Sequence, residues 1–176
     1  MRRGLDLLYL AGGIAGAVAL FAIFALIAAQ VVGRQFGASL EGVDDLTAFA
    51  VAGSALLPLA YAFRQGAHIR VDLIIGHVKG RARFVMEAVA LALSAGLAVF
   101  LAWSVGDLAF DSWQFEDVAQ GTVPWLLWVP QGACAIGCAL FAVALLDDLA
   151  AHLAGGTPSY RRAAEQSAVE RAAGEI

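Results

Sequence analysis

Three histidines, a cysteine pair and one isolated acid are the residues of this chain whose types could do chemistry: His68, His77 and His152, Cys134 with Cys138, and Glu87. Histidines facing one another across membrane helices would ligate haem or a metal. These three fall in loops or tails, so no pair of them is expected to hold haem at membrane depth. His68 and His77 read as two solvated loop histidines, with metal binding as the alternative. Cys134 and Cys138 lie four apart, on one helix face, a geometry that disfavours a disulfide. They read as small residues packing a helix seam. Glu87 stands at the edge of an apolar run, one turn after Arg83. An acid inside the membrane is a functional hypothesis by default. Here the spacing predicts an ion pair with Arg83 at the membrane boundary.

The common catalytic signatures are missing. The sequence contains no H-E-x-x-H, no G-x-S-x-G, no phosphate-binding loop and no C-x-x-C. The chain is therefore not read as an enzyme, and no cofactor is assigned to it.

The elements that must carry these residues are long and oily. Leu7 to Val32 is 26 residues without a charge, Leu46 to Phe63 is 18, Ala88 to Gly106 is 19, and Thr122 to Leu146 is 25. A bilayer core about 30 Å thick needs roughly 20 apolar residues of helix. Hydrophobic residues make up 61% and charged residues 15%, and mean hydropathy is +0.77. The expected fold is an all-α integral membrane protein of four spans, near 5–32, 44–63, 83–107 and 123–149, forming one membrane domain over 1–154. The first span is too long for the apolar core of a signal peptide, so it is expected to stay uncleaved.

Charge distribution sets the expected orientation. Arg2 and Arg3 precede span one, and Arg64, Arg70, Lys79, Arg81 and Arg83 lie between spans two and three. The other two loops are acidic: Glu41, Asp44 and Asp45 in one, and Asp107, Asp111, Glu116 and Asp117 in the other. Lys and Arg accumulate in short cytoplasmic loops. Both termini are thus expected inside. Ile69, Leu73, Ile74 and Val78 can share one face, so the basic loop is expected to hold a short amphipathic helix lying in the inner interface.

Finer expectations follow. Gly12, Gly13 and Gly16 give a small-residue spacing for close helix approach, though so Ala- and Gly-rich a chain produces such spacings by chance. Ala88, Ala92 and Gly96 form a second stripe that could face a partner helix. Pro58 should kink span two, and Pro130 span four, with Pro124 in its first turn. Trp113, Trp125 and Trp128 mark the outer interface. Asp147 and Asp148 should reach the cytoplasm. From Gly155 the chain turns polar, and 155–176 is expected to be a frayed or disordered tail whose removal from Leu153 leaves assembly intact.

Four nearly uncharged helices lack the polar path a lone transporter needs. Nor is there the internal repeat of a two-fold transporter. The physical inference is an accessory subunit packed against a larger membrane protein. Rival readings are an anchor subunit of a redox complex, a scaffold subunit of another membrane complex, and an autonomous small transporter.

At Arg64 the run R-Q-G-A-H-I-R-V-D-L-I, directly after span two, resembles the signature of the small permease subunit (DctQ-like, or Q subunit) of tripartite ATP-independent periplasmic (TRAP) transporters. E-G-V-D-D-L from Glu41 and P-W-L-L-W-V-P-Q from Pro124 are similar to that family's span openings. The resemblance covers roughly Leu5 to Leu149. It implies a bacterial inner-membrane subunit bracing a separate large permease that imports carboxylate-type solutes on an ion gradient. Sodium is the expected ion, bound by the large subunit. A periplasmic solute-binding protein would deliver substrate. Partners are then the large subunit, the binding protein and membrane lipids, and not nucleic acid. By position, His68, Arg70 and Asp72 would organise the inner loop against lipid or the partner. Glu41 and Asp45 would open span two. Glu87, Trp125, Trp128 and Pro130 complete the interface candidates.

Overall fold

Each uncharged run is helical over most of its length. The computed structural model describes residues 2–66, 80–156 and 158–159. The amphipathic helix expected in the basic loop lies outside the described residues, as do His68, Arg70, Asp72 and the tail beyond Ser159. Helix α1 spans Arg2–Gln35, α2 Val43–Leu56, α3 Leu59–Arg64, α4 Arg81–Gln114 and α5 Trp128–Leu153. Four segments are long and apolar enough to cross a membrane: Gly4–Gln35, Val43–Arg64, Arg81–Gln114 and Trp128–Leu153. Among the described residues there is no β-strand, only an isolated bridge between Val118 and Leu126.

The helices form a layered row rather than a closed bundle. One side of α5 packs along α4, and its other side takes α2 and α3, which in turn support α1. Burial follows this order. A third (33%) of the most apolar window of α5 is buried, against 11% for α1. The seam is built from small residues around a few large ones. Ala60, Ala95, Ala98, Ala142 and Ala144 pack with Tyr9, Phe63, Leu91 and Leu145. In lipid no hydrophobic force drives helices together, so close backbone approach and van der Waals contact must do it. Alanine allows that approach.

Span two is broken at Pro58. Proline lacks the N–H that would bond the Ser54 carbonyl. The chain turns there, with Leu57 N–H donating to the Gly53 carbonyl and Ala62 N–H to that of Pro58. The kink is clasped by glycines from both neighbours. A Cβ on Gly137 of α5 would lie 2.6 Å from the Leu56 carbonyl oxygen. One on Gly12 of α1 would lie 2.7 Å from the Leu57 carbonyl oxygen, and one on Gly16 would lie 2.7 Å from the Pro58 ring. Gly12 and Gly137 bring their Cα hydrogens against backbone, a weak contact common where helices touch, while Gly16 makes room for the proline ring. The α1 glycine spacing thus has a definite partner. The Ala88–Ala92–Gly96 stripe of α4 does not face the bundle. Ala92 and Gly96 are exposed, and the buried side of α4 runs through Glu87, Leu91, Ala95 and Ala98.

The structure corrects the start of span four. Pro124 lies in the preceding loop, where Ala119 N–H donates to the Trp125 carbonyl at 2.8 Å and Leu127 N–H to that of Asp117 at 3.0 Å. These extended bonds delay the helix to Trp128. Pro130 is then its third residue, where an N–H has no intrahelical acceptor, so it causes no kink. Helix α4 runs on past Asp107 to Gln114, stopping before Glu116, which takes a left-handed φ of 52°.

Candidate functional site

Two clusters of polar side chains pin the ends of the row. The first gathers at the end that carries Arg64. Arg64 closes α3, and its guanidinium reaches three acids on two other helices. One nitrogen donates to Asp6 of α1 at 2.5 Å, and another donates to Asp147 of α5 at 3.1 Å and lies 3.9 Å from Asp148. The guanidinium carbon also sits 5.2 Å from the centre of the Tyr9 ring. A planar, always charged group suits this bridging role, because it offers several donors in fixed directions and stacks on an aromatic face. Helices α1, α3 and α5 are thereby tied at one level.

Asp148 is the deepest member, at 1% exposure. A buried carboxylate needs hydrogen bonds. Asp148 obtains them from the chain just beyond α5. Gly155, at φ +77°, turns the backbone, Pro158 is buried, and Ser159 docks. Ser159 donates its N–H to both carboxylate oxygens at 3.1 Å and its hydroxyl to one at 2.7 Å. The expectation that Asp148 reaches the cytoplasm is therefore corrected. A cut from Leu153 would remove this cap of a buried acid, a cost to the chain's own stability that the expectation of intact assembly left out. Ending the chain at Gly156, or replacing Ser159 with Ala, is expected to lower unfolding free energy. The truncation should cost about 1–3 kcal/mol, the range for a buried acceptor left without its donor, read by SDS-titrated unfolding of the detergent-solubilised protein. An unchanged midpoint for the truncation would remove the cap from this account.

Next to this hub, α4 and α5 are joined by a second set. Arg83 donates to Glu87 at 3.1 Å, as the i,i+4 spacing predicts. Glu87 is buried, and its other oxygen lies 3.9 Å from His152 Nδ1. His152 Nε2 lies 3.1 Å from the Phe84 carbonyl oxygen, and the ring stacks on Phe84 with centroids 4.4 Å apart. His152 belongs to the last turn of α5 and is 3% exposed, not a tail residue. Asp148 and His152 are one turn apart on that helix. Polar contacts thus run across the whole row, from Asp6 through Arg64 to Asp148, and from His152 to Glu87 and Arg83.

The opposite end is tied by loops. Gln30 donates to Asp44 at 2.9 Å. Gly42, left-handed at φ 74°, donates its N–H to the Thr122 hydroxyl at 3.0 Å. Trp125 Nε1 crowds the Gly42 Cα, and the Asp45 carboxylate lies against Gly121. The loop before α2 is thus seated on the loop before α5. Glu41 is exposed beside this junction, Trp125 and Trp128 stand at its surface, and Pro130 is half-buried just beyond.

Of the sequence candidates, the structure brings Asp45 and Trp125 together at one end and places Glu87 in the other cluster. Glu41, Trp128 and Pro130 lie near the Gly42–Thr122 junction without a polar contact among those described. The residues that sequence reasoning missed as a group are Arg64, Asp6, Asp147, Asp148 and His152. Their only local signal is the one-turn spacing of Asp148 and His152, because the ion pairs of Arg64 join segments 58 and 83 residues apart.

The family described as tripartite ATP-independent periplasmic transporters, DctQ component, matches residues 23–155. No curated protein matches the chain.

Proposed function

The chain belongs to the DctQ family, the small permease component of TRAP transporters, and from that premise we propose that it braces the large permease subunit of such a transporter in the bacterial inner membrane. The family is one of transporter subunits, not of enzymes. In this reading the large subunit imports carboxylate-type solutes on an ion gradient, with sodium as the ion, and a periplasmic binding protein delivers them. Both termini face the cytoplasm, which puts the Arg64 cluster at the inner boundary and the Gly42–Thr122 junction at the outer one. The basic run through His68, Arg70 and Asp72 then meets inner-leaflet headgroups or the partner. Glu41, Asp45, Trp125, Trp128 and Pro130 lie at the outer boundary.

One observation carries this reading beyond the family. The outward faces of the two flanking helices are apolar along their length. On α1 they include Ile14, Val18, Phe21 and Phe24, and on α4 Leu93, Leu97, Phe100 and Trp103, all exposed. The charged side chains described sit near helix ends, so the middle of the row offers no chain of ionisable groups along which a solute or ion could step. A flat slab of this kind can support a neighbour, whereas selecting a polar solute requires groups it does not present at mid-depth.

The direct test is co-expression with the large permease subunit of the same transporter. The two should co-purify as a stable complex through affinity capture and size exclusion. Recovery of this chain only on its own, with the large subunit present and folded, would contradict the proposal.

A further inference from the structure

We draw no further inference here: the strongest candidate, the exposed face that α4 presents from Leu93 through Phe100 and Trp103 to Phe110 and Trp113, is an unpartnered apolar surface, and nothing in the structure shows what covers it.

Discussion

Replacing Arg64 with leucine is expected to destabilise the chain by about 3 kcal/mol, more than any other single side-chain truncation at this end of the row. The reasoning starts from what is left behind. Asp148 stays 1% exposed, Asp147 is largely covered, and both lose their cation. Breaking a buried pair by removing one partner costs about 3–5 kcal/mol, because the other charge is left without compensation. The Asp6 contact adds little, since a pair with a half-exposed partner contributes about 0–1 kcal/mol. Ser159 still donates to Asp148, which keeps the total at the low end of the range. Arg64→Lys should recover only part, as one ammonium cannot reach three carboxylates and stack on Tyr9 at once. SDS-titrated unfolding of the solubilised chain reads the difference. A loss below about 1 kcal/mol, the level of a surface pair, would mean that the cluster is not the tie between α1, α3 and α5.

Gly137→Leu should be the most damaging change in the middle of the membrane. A first side-chain carbon there would lie 2.6 Å from the Leu56 carbonyl oxygen, 2.8 Å from its carbon and 3.0 Å from the Leu57 Cα. These are backbone atoms, held by the Pro58 break, and cannot rotate away as a side-chain tip would. Helices α5 and α2 must separate, and overpacking of this sort costs about 1–3 kcal/mol or more. Even Gly137→Ala should be felt. Gly96→Leu is the matched control, because nothing lies within 4 Å of a Cβ at that position. Gly137→Leu should run as an aggregated or heterogeneous species on size exclusion while Gly96→Leu of the isolated chain runs as wild type. Equal behaviour of the two would mean that the kink is not clasped.

What the sequence reveals and what it hides divide along one physical line. Hydropathy is a local property. The four spans are legible because each uncharged run decides its own helix whatever its neighbours do. Arg83 with Glu87 is legible for the same reason, as i,i+4 spacing on a helix fixes proximity. Arg64, Asp6 and Asp147 belong to three separate helices, and no local rule says that they meet. Asp148 reads as a solvated helix end because its cap, Ser159, follows a Gly-Gly-Thr-Pro breaker that signals loop and not docking. The start of α5 is hidden for a related reason. Pro124 suits a helix N-terminus, yet the bonds of Ala119 and Leu127 across the loop take those residues first. The α1 glycines could not be told from background in so Gly-rich a chain until Pro58 was seen to lie against them.

Transport measured in vesicles addresses the bracing role most directly. This chain reconstituted alone, with an ion gradient and a periplasmic binding protein loaded with its organic acid, should accumulate no solute above empty vesicles. The same vesicles holding the chain together with the large permease subunit should take the solute up. Sustained, gradient-driven uptake by this chain alone would contradict the account, for it would require a polar path through helices whose charges are confined to their ends.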